Sequence, residues 1–481
     1  MKNKLLKKMI LPVFLLLGSV IYAQSASGNV SDNTGPIPGV NVLIKGTTTG
    51  TVTDFDGNFE IAVNNWDILV FSFVGYFPQE INYAGQSSIN VLLEEDTALL
   101  DEVVVVGYGT KKKSLVTGAI SSIDSKQIKS SSNQRVEQVL QGRTSGVTVS
   151  SSSGSPGQGA QIRIRGAGSS GNSEPLYIVD GMKVSNISTI APGDIANIEI
   201  LKDAASAAIY GTEGANGVVI ITTKAGRSSN GDIKVGFTTQ LGTQFVNTDM
   251  ELMNASQFVQ YMNEAGIASV VSNGVDTNWL DSTFDSAPIT RYDLNISGGD
   301  EKLSYYGSFG HLKQEGIVGK ENSSFKRNTF RINLKSQITD FIEVGYNATY
   351  SLSDRNGVVE NSDTRGVIQN ALVLDPLTPV TYANESDIPQ TVLDNATNNN
   401  VPLLRDGDGN VYGYPTYSTG EVVNPVALAN VMNRTLFDEN QAIFSAYLKL
   451  RVIDGLHITT RYGRENSKTN QQKMINPYYV T

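Results

Sequence analysis

At residues 101–110 the sequence reads Asp101-Glu102-Val103-Val104-Val105-Val106-Gly107-Tyr108-Gly109-Thr110. Four consecutive β-branched residues favour a strand, with two carboxylates before them and a run of three lysines shortly after them. Two interpretations fit this pattern. A buried strand of a parallel sheet has the same apolar run, and so has an exposed strand that pairs with the sheet edge of a partner protein. The segments on either side have to decide between them.

The beginning of the chain has the pattern of an export signal. Four lysines lie within the first eight residues, an apolar run covers 9–22, and Ala23 is a small residue suited to cleavage. The apolar run is shorter than the roughly 20 residues that a membrane-spanning helix needs. We therefore predict a signal peptide over 1–23, whose removal would change the net charge from −10 to −14 because it takes away four lysines and no acidic residue.

Length and composition exclude several classes of protein. A chain of 481 residues is expected to hold more than one domain. Its acidic balance, with a pI near 4.9, argues against a nucleic-acid surface, which needs clustered basic residues. The absence of cysteine excludes both a disulfide framework and a lipid-modified cysteine behind the signal.

Between 25 and 95 the sequence alternates short strand patterns with Gly, Pro and Asp turn signals. This spacing predicts a small β-sandwich. The predicted strands cover 28–31, 40–45, 50–53, 58–63, 68–73 and 89–93.

A mixed α/β unit is predicted over 115–227, and within it the serine-rich stretch 121–133 has the composition of a linker. A helix with one apolar face starts near Asn133 and ends at Gly142, and a second, alanine-rich helix covers 204–210 behind the capping residue Asp203. The predicted strands of the unit are 146–150, 161–165, 176–179, 198–201 and 217–223.

Residues 166–171 match the glycine spacing of a dinucleotide-binding loop, G-x-G-x-x-G. That loop requires a helix to begin at its third glycine, so that the helix N-terminus faces the pyrophosphate. Here a polar segment and another strand pattern follow, so we predict no cofactor site.

From residue 232 to 481 the sequence consists of long segments in which apolar and polar residues alternate, joined by tight turns such as Asp454-Gly455. Residues 354–439 are instead a long polar connection. Strands of ten or more residues, with short turns alternating with long connections, favour part of an outer-membrane β-barrel over a soluble sandwich. Within the long connection, residues 406–410 (Asp-Gly-Asp-Gly-Asn) have a calcium-loop composition but are expected to form a surface turn.

Several motifs, in this order, resemble the plug domain of SusC/RagA-type TonB-dependent outer-membrane transporters. The stretch at 101–110 is similar to the TonB box of that family, and 25–95 resembles its carboxypeptidase-regulatory-like domain. The plug motifs are Leu140-Gln141-Gly142-Arg143, Gly146-Val147, Gly154-Ser155-Pro156-Gly157, Ile162-Arg163-Ile164-Arg165-Gly166, Pro175-Leu176-Tyr177-Ile178-Val179-Asp180-Gly181, Ile198-Glu199-Ile200-Leu201-Lys202-Asp203, Ala207-Ala208-Ile209-Tyr210-Gly211 and Gly214-Ala215-Asn216-Gly217-Val218.

The resemblance implies active import of large nutrients, glycans or peptides, across the outer membrane, with the first domain and the box in the periplasm. The implied partners are TonB with its inner-membrane energising complex, a SusD-like surface lipoprotein and outer-membrane lipid; no cofactor and no metal are implied. The expected TonB-binding residues are Asp101, Glu102, Val103, Val104, Val105, Val106 and Gly107. Candidate contacts between plug and barrel wall are Arg143, Arg163, Arg165, Asp180, Glu199, Lys202 and Asp203.

Two further expectations concern completeness and alternatives. Family barrels have 22 strands, whereas the region after 232 has room for about 8 to 10, so we expect the amino-terminal part of a longer protein. The alternative function is a surface receptor or adhesin that binds its ligand without importing it. An enzyme is not expected, because the two histidines, His311 and His457, lie in strand patterns without a nearby nucleophile or metal spacing.

Overall fold

The structure, a computed structural model, describes residues 25–32, 35–73, 76–86, 88–94, 103–106, 109–112, 120–129, 135–151, 153–168, 171–227, 231–361, 366–418 and 422–475. The predicted signal peptide lies outside these residues. The chain divides into two compact units, and the division falls within 104–117. We describe each unit by itself.

The first unit is the predicted β-sandwich, with sheets ordered β4-β1-β7 and β3-β2-β5-β6. Alternate residues such as Val42, Phe59 and Leu69 are buried and form its core. All six predicted strands are present; β6 was not predicted, because Ile81 is its one apolar residue and gives no alternation. The strands are β1 (Ser25–Ser31), β2 (Asn41–Ile44), β3 (Gly50–Val52), β4 (Asn58–Ala62), β5 (Ile68–Ser72), β6 (Gln79–Asn82) and β7 (Ile89–Leu92).

The valine stretch forms strand β8 (Val103–Val106), which pairs with β9 (Gly109–Lys112) in a two-stranded sheet. Over the described residues, the buried parallel strand of the first interpretation is not what forms: β8 belongs to no larger sheet. Each strand of a two-stranded sheet keeps one edge without a ladder partner.

The second unit contains the α/β unit, which we call the plug and which is described from residue 120 to 227. Its main sheet has the order β10-β15-β16-β13-β14, and β11 pairs with β12 beside it. Ile162, Ile198 and Val219 are fully buried in its core. The strands are β10 (Ile120–Asp124), β11 (Val147–Ser150), β12 (Gln161–Ile164), β13 (Leu176–Val179), β14 (Met182–Val184), β15 (Ile195–Leu201) and β16 (Val218–Thr223).

The prediction of a linker over 121–133 is wrong for the residues that the structure describes there. Strand β10 and helix α1 (Ser125–Lys129) occupy this stretch. Ile123 and Ile128 are buried in the plug core, and Ser122 Oγ donates to Asn197 Oδ1 at 2.9 Å. Serine is tolerated in β10 because an edge strand has one half-exposed face, so composition alone misjudged it.

The two predicted plug helices are shorter than expected. Helix α2 covers Val136–Val139, and helix α3 covers Ala204–Ala207 with Asp203 as its N-cap, as predicted. Beyond α3 the chain tightens into a 3₁₀ segment, Ala208–Asn216, whose helical conformation is interrupted at Gly211 by φ 65° and ψ −150°. After Gly171 the chain runs without a helix into β13, so the structural context of a dinucleotide loop is absent there.

Seven antiparallel strands in sequence order form a continuous sheet, the wall. Their side chains alternate between two faces, as the sequence predicted. Thr329 and Arg331 are buried on one face, where Arg331 bonds the plug, while Phe330 and Ile332 are exposed on the opposite face. The strands are β17 (Lys234–Gln244), β18 (Ala287–Gly299), β19 (Leu303–Gly316), β20 (Lys320–Thr339), β21 (Ile342–Val358), β22 (Asn433–Ile453) and β23 (Leu456–Ile475).

The described wall thus has seven strands where the length suggested about 8 to 10. The estimate assumed strands of membrane-spanning length only. Instead, β22 has 21 residues and β20 and β23 have 20 each. The two long connections take up further chain because they carry folded elements of their own.

The connections differ between the two ends of the wall. Tight turns join the strands at 300–302, 340–341 and 454–455, and the other end carries the long connections 245–286 and 359–432 together with the short turn 317–319. Among the described residues no helix is long and apolar enough to cross a membrane. The helices of the long connections are α4 (Ala255–Glu264), α5 (Trp279–Thr283), α6 (Val367–Val373), α7 (Gln390–Asn398) and α8 (Pro425–Ala427), with a 3₁₀ turn at Glu385–Asp387 and a π-helical turn at Leu428–Met432.

Candidate functional site: the plug and its contacts with the wall

Of the predicted TonB box, the structure describes Val103–Val106 as strand β8, while Asp101, Glu102 and Gly107 lie outside the described residues. An isolated hairpin is only marginally stable in water. The backbone of β8 is therefore held by few bonds and can be extended by a further strand.

Asp180 is the predicted plug residue that lies against the wall. It follows β13 in a turn with φ 48°, and its carboxylate accepts hydrogen bonds from Thr223 N at 2.9 Å and Thr223 Oγ1 at 2.7 Å. Arg331 of β20 forms an ion pair with the same carboxylate, with Nη2 and Oδ2 3.1 Å apart. The Arg331 side chain is buried, with 3% exposed, and the Asp180 side chain is partly buried, with 14% exposed.

A second wall arginine reaches the same turn. Arg461 of β23 donates to the backbone oxygen of Asp180. Its guanidinium lies 5.6 Å from the ring centre of Tyr447, whose hydroxyl donates to Glu343 at 3.0 Å. The turn at Asp180 is thus contacted from two strands of the wall.

The other predicted contact residues have these surroundings. Arg143 donates to Gln127 O, Lys202 to Ser145 O, and the Asp203 carboxylate accepts from Ser206 N, all within the plug. Glu199 is fully buried in the plug and accepts from Asn197 Nδ2 at 3.0 Å, whereas Arg163 and Arg165 are exposed.

Most plug-to-wall contacts come from residues that the sequence did not single out. They share one signal, which is a polar side chain on the plug-facing side of a wall strand. Tyr306 donates to Asp194 at 2.9 Å, Arg355 to Gln158 at 2.5 Å, Arg327 to Ser188 O, and Ser185 Oγ to Glu465 at 2.5 Å.

A polar cavity of about 850 Å³ lies between the plug and β17–β19, at the end of the wall that carries the long connections. Of the described lining residues only Arg135 is charged, and it pairs with Glu137 at 3.0 Å. Nearby, burial together with the charges of Glu174 and Glu137 raises the pKa of Tyr177, which therefore stays protonated. The amide side chains of the lining are Gln138, Gln141, Gln158, Gln240, Gln244, Gln314 and Asn361.

The segment 406–410 forms a turn closed by its own carboxylate. Asp406 accepts from the backbone of Asp408 at 3.0 Å and of Asn410 at 2.8 Å. The described residues contain no cluster of three or more acidic or histidine side chains arranged to hold a metal.

Two family models match the sandwich and the plug. Residues 26–105 match the CarboxypepD_reg-like domain, and 112–218 match the TonB-dependent receptor plug domain. The TonB-dependent receptor P26 of Formosa agariphila is 41% identical over 357 residues, covering 71% of this chain and 36% of that protein. The TonB-dependent receptor SusC of Bacteroides thetaiotaomicron is 37% identical over 396 residues, covering 79% and 38%.

A solved structure of the RagAB peptide importer in its open-open state superposes with a TM-score of 0.64 at 26% identity, covering 79% of this chain and 44% of that chain. The chain spans about two-fifths of the length of the curated relatives it matches. A sandwich, a plug and a wall of long strands occur in the order expected from the motifs, and the chain therefore belongs to the SusC/RagA-type TonB-dependent receptors.

Proposed function

We propose that the full-length protein imports large nutrients, glycans or peptides, across the outer membrane, and that TonB supplies the force. The observation that carries this proposal is the wall, which is polar towards the plug and apolar on its outer face. Lipid requires the apolar face and a water-filled passage requires the polar one. A plug seated on the polar face closes such a passage and has to move for a large solute to pass.

Strand β8 is the proposed point at which TonB pulls. Strand addition to an open edge gives a row of main-chain hydrogen bonds that share the load and depend little on side chains. We place the box and the sandwich in the periplasm, where TonB reaches them.

The proposed substrate and surface partner are argued from the end of the wall that carries the long connections. The long connections with their folded helices offer a platform for a SusD-like lipoprotein, and the related RagAB structure is of a peptide importer. The amide-lined cavity beneath them has hydrogen-bond donors and acceptors for sugar hydroxyls or peptide groups.

The test separates import from binding. Residues 101–107 are deleted from the full-length protein in its own cell, and uptake of fluorescent glycans and peptides from the growth medium is measured beside their binding to the cell surface. We expect binding to remain while uptake falls to the level of a strain without TonB. Unchanged uptake would contradict the role of the box, and a wild-type strain that binds but never imports would favour a receptor or adhesin.

A further inference from the structure

One turn of the plug is contacted by two arginines of the wall. We propose that Asp180 and Gly181 of this turn, with Thr223 at the end of β16, keep the plug in its closed position. They do so through their contacts with Arg331 and Arg461 of the wall. These five residues are called the anchor below. The inference rests on the proposed function, and it assigns these residues a positioning role in it.

The carboxylate of Asp180 connects three parts of the second unit. It accepts two hydrogen bonds from Thr223 at the end of β16 and pairs with Arg331 of β20, and Arg331 also donates to Thr349 of β21 at 3.1 Å. A buried charge left without its partner is strongly unfavourable. In the closed position the plug shields Arg331 from water, so Arg331 depends there on the Asp180 carboxylate, whereas a displaced plug would expose it to water. Asp180 therefore stabilises the closed position, and its loss would leave Arg331 buried without its charged partner.

Gly181 allows the second contact. Its φ of 77° is a conformation that side-chain-bearing residues rarely adopt, and a Cβ there would overlap the guanidinium of Arg461. Glycine therefore lets the backbone approach β23 closely enough for Arg461 to bond the Asp180 carbonyl. Next to it, Ser185 donates to Glu465 of the same strand through both its amide and its hydroxyl.

The position of the anchor in the plug sheet determines the order in which a pull from the box reaches it. Strand β10, through which a pull from the box enters the plug, lies at one edge of the sheet, and β13 and β14, which flank the anchor, lie at the other. Thr223 ends β16, after which the chain leaves the plug for the wall. Force from the box therefore passes β10 and β15 before it reaches β16 and the anchor.

The anchor is tested by leakage rather than by import. Asp180→Asn is introduced into the full-length protein in cells lacking TonB, and entry of vancomycin, which is too large for ordinary outer-membrane pores, is measured. We expect an increase in entry of at least about tenfold, because removing one partner of a buried ion pair shifts the equilibrium by at least that factor. The matched control is Glu213→Gln, which removes a carboxylate of the plug whose exposed partner, Lys183, also belongs to the plug.

Two further variants keep the test decisive. Arg331→Lys retains the charge but loses the forked geometry, and we expect it to leak at an intermediate rate even if Asp180→Asn is poorly assembled. In a full-length background from which any other cysteine has been removed, Ser185→Cys with Glu465→Cys gives one pair for a short bis-maleimide, which should close the leak of Asp180→Asn. A correctly assembled Asp180→Asn or Arg331→Lys that excludes vancomycin as well as Glu213→Gln would overturn the anchor. Because no import is measured, failure of the proposed function would appear separately, in wild-type uptake.

Discussion

At the scale of single residues, the closeness of plug and wall depends on glycines where the two approach. Gly157 lies in the plug loop between β11 and β12, with φ 69°, and the ring of Phe325 of β20 occupies the space that a Cβ would take. The carbonyl oxygen of Gly157 accepts a hydrogen bond from Arg135 at 2.7 Å. Gly154 in the same loop has open space around it and no positive φ.

We therefore expect Gly157→Ala to destabilise the seated plug and Gly154→Ala to leave it nearly unchanged. The cost at Gly157 should be about 1–3 kcal/mol, since the residue needs a left-handed conformation and its new methyl group meets a buried ring. Thermal unfolding of the purified full-length protein, followed for both variants, measures this difference. Equal midpoints would show that the loop moves away from Phe325 at little cost.

At the scale of elements, the side chains of each wall strand alternate between an apolar outer face, which suits lipid, and a polar face towards the plug, which suits water. On β20 the outward residues Phe330, Ile332 and Ile338 are exposed and apolar, while the inward residues Arg327 and Arg331 bond the plug. The two faces were predictable from the sequence because the period of a strand is two residues. Which inward residue meets which plug residue was not, because that depends on the register of neighbouring strands.

The outward face gives a prediction that depends on depth in the membrane. Phe330→Arg near the middle of β20 should cost about 2–4 kcal/mol and reduce assembly, whereas Ile338→Arg beside the tight turn should cost about 0–1 kcal/mol. Denaturant unfolding of the full-length protein in lipid vesicles measures both. Equal costs at the two positions would contradict a lipid-facing wall.

At the scale of the whole molecule, sequence reasoning succeeded where a pattern has a short period and failed where it depends on distant partners. The sandwich strands, the Asp203 cap and the long hairpins follow local rules. Strand β10 was missed because its two serines mask the buried Ile123 and the partly buried Ile120. Arg331 went unnoticed because its partner, Asp180, lies in a different domain and only the fold brings them together.

The valine stretch is a second feature that the local sequence pattern could not decide. Its apolar run fits a buried strand as well as an open one, and only the tertiary structure gives β8 a single hairpin partner among the described residues. The central claim of our account is that this strand receives TonB.

The most direct measurement is site-specific disulfide formation in living cells. Residues 1–481 contain no cysteine. In a full-length background from which any other cysteine has been removed, a single Val104→Cys or Val105→Cys can be paired with single cysteines placed along TonB. The matched control is Asn82→Cys in β6, an edge strand of the sandwich. The account predicts disulfides from 104 or 105 to TonB, stronger when substrate is present, and none above background from 82. Disulfides from 82 alone, or equally weak signals at all three positions, would contradict it.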